Sequence, residues 1–283
     1  MSESFFSPEA ILNEIKELEH TFKELYENPE MNRVLFLGPS GSGKTTIIHL
    51  LSGCKMTINC DSMNNSYLCC DGKCRATFLP LGNAHRKVFH RFIRSNGQFL
   101  IDCPDIFNDL QIEDRIINNY ALSKLFAPPC QIKILIVLQY KDFLLQGGEL
   151  ALKYLEQIEN FFLDFYQIKE CVGLVITHYN KYVDPMESIN MLSVSESVNS
   201  RLLNFFDDND DRCFMMNSPM IDSIDQIYNF KDINRILEFL KKGATKNPKP
   251  NITIDPNTAG VLSTIYTQMS KKMNFEMLTM LMK

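Results

Sequence analysis

Gly38-Pro39-Ser40-Gly41-Ser42-Gly43-Lys44-Thr45 spells G-x-x-x-x-G-K-T, a spacing whose chemistry is anion capture. The glycines let successive backbone N–H groups converge on a phosphate, and a helix that opens at the end of the loop adds partial positive charge. Lys44 reaches the β- and γ-phosphates, Thr45 offers its hydroxyl to Mg²⁺, and Thr46 follows in the same turn. The residues from Gly38 to Thr46 are therefore the candidate phosphate site. Lys44 and Thr45 are its chemically active groups, and Thr45 is a metal ligand.

A second landmark is Gln98-Phe99-Leu100-Ile101-Asp102-Cys103-Pro104-Asp105, an apolar strand that ends in a carboxylate. Asp102 follows Lys44 by 58 residues, and such a carboxylate fixes the Mg²⁺ water shell beside the threonine hydroxyl. A third is Cys171-Val172-Gly173-Leu174-Val175-Ile176, a buried-strand pattern. It delivers Thr177-His178-Tyr179-Asn180 to the carboxyl edge of a sheet, where ligands of open α/β folds bind. That is the place for a base-reading loop.

The elements that hold these groups follow from hydrophobic patterning. Arg33 to Leu37 is an apolar strand before the loop, and Ile47, Ile48, Leu50 and Leu51 mark a helix after it. Ile132 to Leu138 is a β-branched run of buried parallel-strand type, Glu149 to Phe165 is helical, and Asn229 to Lys242 is a last amphipathic helix. Ser7-Pro8-Glu9 starts an N-terminal helix with Ile11, Leu12, Ile15, Leu18, Phe22 and Leu25 on one stripe, which packs on the domain that follows. Gly243 to Pro256 reads as a linker, and Ala259 to Lys283 as a second, Met-rich amphipathic helix. The expectation is an α/β P-loop domain over residues 31–242, its mostly parallel sheet flanked by helices. A helix at 1–30, a linker at 243–256 and a helix at 257–283 complete it.

Residues 52–98 carry weaker signals. Tyr67 to Phe78 predicts two short strands joined at Asp71-Gly72. Cys60, Cys69, Cys70 and Cys74 lack paired C-x-x-C spacing, which argues against zinc. A switch hydroxyl for Mg²⁺ belongs here, and Thr57, Ser66 and Thr77 all qualify. Arg86, Arg91 and Arg94, with His85 and His90, form a basic cluster read as a solvated helix face, or as a source of an arginine for a phosphate across a dimer.

Bulk properties narrow the class. At 283 residues and 45% apolar composition the chain can bury a substantial core. A net charge of −5 argues against nucleic acid as a partner. Nine cysteines without a secretory leader predict reduced thiols and a cytoplasmic protein, and no run of eighteen apolar residues predicts a membrane span.

Taken together, Gly38 to Thr45, Asp102-Cys103-Pro104-Asp105-Ile106-Phe107, Ile136 to Phe143 (I-V-L-Q-Y-K-D-F) and Thr177 to Asn180 resemble the GIMAP, or AIG-type, immunity-associated GTPases. In that family the second phosphate motif often reads D-T-P-D-I-F or D-T-P-G, and a box like L-V-L-Q-L-x-R-F precedes the base loop. The resemblance implies a G domain that binds GTP or GDP with Mg²⁺ and dimerises across the nucleotide face. Terminal helices could then engage a protein partner or the periphery of an intracellular membrane. It assigns guanine contacts to Thr177, His178, Asn180 and, at an F-N-N-like position, Asn217. Two residues depart from pattern. Asp105 stands where most GTPases have a glycine whose N–H meets the γ-phosphate, and no glutamine follows to orient water, which predicts slow hydrolysis. Asn180 stands where the family usually has an acidic acceptor for guanine, a loss of roughly 1 to 3 kcal/mol of discrimination; Asp184 could serve only if the loop shifted. The alternatives are a nucleotide-binding scaffold without turnover and, further off, a P-loop ATPase or small-molecule kinase.

Overall fold

The structure, a computed structural model, describes residues 8–54, 56–60, 66–70, 92–95, 97–105, 112–127, 129–162, 165–179, 184–194, 200–217, 230–242, 245–246, 248–250, 259–260 and 263. The chain opens with α1 (Pro8–Glu27), β1 (Asn32–Leu37), α2 (Lys44–Leu51), β2 (Met56–Cys60) and β3 (Ser66–Cys70). It continues through β4 (Phe92–Ser95), β5 (Gln98–Asp102), α3 (Ile112–Leu125), β6 (Gln131–Gln139), α4 (Tyr140–Leu144), α5 (Glu149–Phe161) and α6 (Phe165–Ile168). Then come β7 (Val172–Tyr179), α7 (Pro185–Ser193), α8 (Arg201–Asp208), β8 (Cys213–Asn217), α9 (Phe230–Lys241) and β9 (Thr245–Lys246).

The main sheet runs β4-β5-β1-β6-β7-β8. Five neighbouring strands, β5, β1, β6, β7 and β8, are parallel, so their carboxyl ends share one edge. Both faces are covered, which is why β6 is buried along nearly its whole length. Alternate side chains sort the core. Leu35, Leu37, Ile134, Ile136, Leu174 and Ile176 face α1, α3, α5 and α8. Val34, Phe36, Leu135, Val137, Val175 and Phe214 face α2 and α9. This is the expected α/β architecture, a parallel sheet between helices. Ile11, Leu18, Phe22 and Leu25 of α1 lie in that core, so the first helix is part of the packed domain. No helix among the described residues is long and apolar enough to cross a membrane.

Several local expectations need correction. β3 pairs antiparallel with β2, Thr57 opposite Cys69 and Cys60 opposite Ser66; Asp71-Gly72 and the second strand expected after it, through Phe78, lie outside the described residues. Both Thr57 and Ser66 are therefore ladder residues of a separate two-stranded sheet, and Thr77 lies outside the described residues. Arg94 sits in β4, opposite Phe99, and not on a helix: Phe92 and Ile93 favour pairing with β5. The helix read to Phe165 stops at Phe161, because Phe162 is extended and bridges to Pro250. Part of the stretch read as a linker is paired as well, since Lys246 and Thr245 lie against Gln131 and Ile132 of β6. Ala259, Gly260 and Ser263 are helical, and the rest of the expected C-terminal helix is outside the described residues. Cys103, Cys130, Cys171 and Cys213 are free and buried, whereas Cys54 is disulfide-bonded. The expectation of nine reduced thiols fails there, because pairing depends on proximity in space that spacing does not reveal.

Charged side chains inside this core end on helix termini. Arg33, only 1% exposed, donates to Leu125 O at the end of α3 and to Pro129 O at 3.3 Å. Glu159 accepts from Ser200 Oγ at 2.7 Å and Leu202 N at 2.8 Å, at the start of α8. Lys133, 0% exposed, donates to Phe239 O in α9 and lies 4.4 Å from the centre of the Phe239 ring. Burial pushes the Lys133 ammonium down to about 8. Between about pH 8 and the ordinary lysine value near 10.5, the unfolded chain holds a proton that the native one has released, so Lys133 makes stability rise with pH across that window. Lys133→Met is expected to stabilise the protein at pH 7 by on the order of 2 kcal/mol, since Phe239 O keeps the Lys242 N–H as donor. The gain should shrink by pH 10. Urea unfolding at both pH values checks this; a variant less stable than wild type at pH 7 would refute it.

Candidate functional site

The loop from Gly38 to Gly43 leaves β1 and enters α2 at the carboxyl edge. It can turn so tightly because two glycines take positive φ, 78° at Gly41 and 97° at Gly43, a region costly for other residues. Gly38 is required for space: a Cβ there would come within 2.2 Å of Val137 O on β6. Its neighbour Ser42 keeps a buried hydroxyl with no hydrogen-bond partner among the described residues.

The ends of β7 and β6 grip this loop. Thr177, at the end of β7, donates its hydroxyl to Ser42 O at 2.7 Å, with Leu138 O at 3.3 Å. His178 Nδ1 lies 2.9 Å from Thr177 Oγ1. Thr177 has one proton and directs it at Ser42 O, so the network assigns the Nδ1–H tautomer to His178. Desolvation, then the Lys141 ammonium, lower the His178 imidazole below its ordinary value. That residue takes φ 55°, a kink at the register shift of β7 against β8, and sets its ring within reach of Gly43. Gln139, at the end of β6, donates Nε2 to Gly41 O at 2.8 Å.

The groups expected to be chemically active fall inside this frame. Lys44 Nζ folds back over the loop and donates to Gly38 O at 2.6 Å and Pro39 O at 2.9 Å. Thr45 Oγ1 donates to Asp102 Oδ2 at 2.6 Å, a hydroxyl and a carboxylate side by side at the mouth of the loop. Asp105, 7% exposed, accepts the Ser40 backbone N–H at 3.3 Å. Burial, with Asp102 next, holds the Cys103 thiol well above its usual range. Burial followed by Asp105 does the same for the Tyr154 hydroxyl.

The structure thus gathers Gly38, Pro39, Ser40, Gly41, Ser42, Gly43, Lys44, Thr45, Thr46, Asp102, Asp105, Thr177 and His178 at one edge. Asn217 ends β8 opposite Tyr179, on the same edge. Asn180 lies outside the described residues. Asp184 caps α7, accepting Met186 N at 3.0 Å with Pro185 behind it, which commits its side chain to the helix. Gln139 and Tyr154 were not recognised as site residues in the sequence. Gln139 carried a usable signal, as the last residue of the strand next to β1; Tyr154 carried none.

The residues fit an anion. A glycine loop whose first glycine lies against neighbouring backbone and whose other two take positive φ, a lysine lying across it and an orphaned buried hydroxyl suit a chain of phosphates. Thr45 and Asp102 suit a hard cation that keeps water and phosphate ligands; no cluster of three His, Cys, Asp or Glu side chains exists among the described residues to hold one alone.

No protein-family model matches the sequence, and no curated protein does. Among solved structures, the chain is similar to Era of Aquifex aeolicus bound to GDP·AlF4−, at 13% identity and TM-score 0.39 over 75% of this chain and 57% of that one. The match thus spans less than two thirds of Era. It is also similar to the G domain of the T. maritima FeoB iron transporter (14% identity, TM-score 0.35, 75% and 99% covered) and to nucleolar GTP-binding protein 1 of Plasmodium falciparum (16%, 0.30, 88% and 97%). At these values the meaning of the site rests on its own geometry.

That geometry separates two uses of glycine. Gly38→Ala, which drives a methyl into backbone, is expected to destabilise the fold by roughly 1–3 kcal/mol. Gly41→Ala meets only the flexible Gln139 amide at 3.8 Å and is expected to cost about 1 kcal/mol, from φ alone. Urea midpoints of the two variants test the ranking; equal losses would mean that the approach to Val137 O is not limiting.

Proposed function

We propose that the protein binds a guanine nucleotide with Mg²⁺, as a P-loop GTPase of the GIMAP kind. The observation that carries the reading is the fastening of the β7 end onto the phosphate loop, Thr177 to Ser42 O, beside the Thr45–Asp102 pair. It supports the reading because it ties the strand end proposed to read the base to the loop proposed to read the phosphates.

In this reading the N–H groups of the loop and the N-terminus of α2 hold the phosphates, and Lys44 exchanges its two carbonyl partners for phosphate oxygens. Thr45 and Asp102 would hold the cation, Thr45 directly and Asp102 through its water shell. Bound there, Mg²⁺ supplies charge neutralisation across the terminal phosphates. His178 and Asn217 line the base side, with Asn180 as the acceptor for guanine. Thr57, Ser66 and Thr77 remain the candidates for the switch hydroxyl.

Binding is tested by competition. GTP or GDP should displace a fluorescent guanine nucleotide, and ATP should do so at least tenfold less well; equal competition by ATP would remove the guanine assignment. Lys44→Ala should weaken binding by about two orders of magnitude, as expected for loss of a charge-assisted contact. Hydrolysis is a separate matter. Asp105 engages a loop N–H and leaves the site without the usual glycine, which supports slow turnover or none. Under single-turnover conditions the wild type should release phosphate slowly, and a rate no faster than that of Lys44→Ala would assign the protein as a binding scaffold.

A further inference from the structure

We propose that Asp105 is a specificity-determining residue that makes this site select a nucleoside diphosphate over a triphosphate. The inference rests on the nucleotide reading of the site and goes further by assigning its phosphate-length preference to one carboxylate.

The strand order gives the site a direction. Thr177, His178 and Asn217 lie at the ends of β7 and β8, the loop crosses from β1, and on the far side Asp102 ends β5 and Asp105 follows it. A nucleotide whose base sits at β7 and β8 must run its phosphates across Gly43 and Lys44 toward β5, so its last phosphate arrives beside Ser40, Asp102 and Asp105. There Asp105 is buried and its Oδ2 already accepts the Ser40 N–H, a donor on the outer limb of the loop. Lys44 Nζ is turned to the carbonyls of Gly38 and Pro39 on that same limb. A carboxylate in this position imitates the outermost phosphate: it carries negative charge and satisfies a loop donor.

A diphosphate ends at the helix N-terminus and leaves the Asp105–Ser40 bond intact. A triphosphate must break that bond and bring its own negative charge against a carboxylate in a poorly solvated place. Like charges so placed are strongly unfavourable. The Thr45–Asp102 pair can offset this only in part, because the cation it would hold is shared with Asp102. A glycine at position 105 would have no such effect, and its N–H would be free to meet the phosphate.

The test is equilibrium binding of GDP and of a non-hydrolysable GTP analogue, with Mg²⁺, by titration calorimetry on the full chain. Wild type is expected to bind the diphosphate at least about tenfold tighter. Asp105→Asn, which keeps the shape and removes the charge, should cut that preference by about tenfold through tighter triphosphate binding, with the diphosphate Kd within about twofold of wild type. Asp105→Gly should shift it at least as far. A wild type that binds the triphosphate as tightly as the diphosphate overturns the proposal without any variant. So does an unchanged ratio in Asp105→Asn that still binds GDP; both results leave nucleotide binding standing. Failure of wild type to bind either nucleotide would instead refute the function proposed above.

Discussion

The carboxyl edge of this protein depends on how the loop between β1 and α2 is held open. A loop whose N–H groups converge sets its own dipoles against one another, so without an anion it needs support from outside. Thr177 and Gln139 pull on the carbonyls of Ser42 and Gly41, Asp105 takes the Ser40 N–H, and Lys44 bridges Gly38 O and Pro39 O. Each such bond is worth about 1 kcal/mol net. Their greater effect is to fix the loop before any ligand arrives, which lowers the ordering cost of binding. Three of these contacts join residues 65, 98 and 135 positions apart. They exist only because five parallel strands end on one edge, so the cradle can form only once the sheet has.

The sheet in turn is secured by charges in places where charge is usually excluded. Arg33 reaches a carbonyl at the C-terminus of α3, Lys133 one near the C-terminus of α9, and Glu159 the Leu202 N–H at the start of α8. Cations meet helix C-termini and the anion meets an N-terminus, the arrangement that helix dipoles favour. The pattern orients helices on both faces against strands that are otherwise interchangeable apolar runs. It does so at a cost in stability that Lys133, its ammonium held below the ordinary value by burial, makes visible. Gln98 adds a neutral version of the same contact, its amide meeting Leu240 O at 2.5 Å.

Much of this was legible in the sequence because the decisive signals are local. The G-x-x-x-x-G-K-T spacing, the apolar run ending in Asp102 and the β-branched run of β6 each carry their structural meaning within about ten residues. What could not be read was non-local or ambiguous. The pairing of β3 with β2 joins two short runs whose partnership no local turn signal announced. Arg94 and its histidine neighbours suggested a helix, but β4 needed only a short apolar pair to extend the sheet at β5. Thr245 and Lys246, among prolines and small residues, looked like linker; the start of β6 offered open backbone and they paired with it. The same limit applies to Gln139 and Tyr154, whose relevance lies in what the fold brings near them.

The direction of the strand order divides the site into a generic middle and two selective ends. In the proposed reading, backbone N–H groups between Gly43 and Thr45 and one ammonium would do the holding, and such contacts accept any polyphosphate with little regard to what is attached. Discrimination has to come from side chains that meet parts of the ligand beyond the shared phosphates. On one side those lie at the kinked end of β7, where His178 leaves strand geometry to pack beside Gly43. Beyond the opposite end of the cradle, at the end of β5 and just past it, two carboxylates sit three residues apart, one bonded to Thr45 and the other to the loop itself. The two have unlike chemical demands: Asp102 is compatible with more negative charge when a cation lies between, whereas Asp105, bonded directly to the loop, is not. In the proposed reading, charge balance at the β5 end, rather than the shape of the cradle, would decide how long a phosphate chain the site holds.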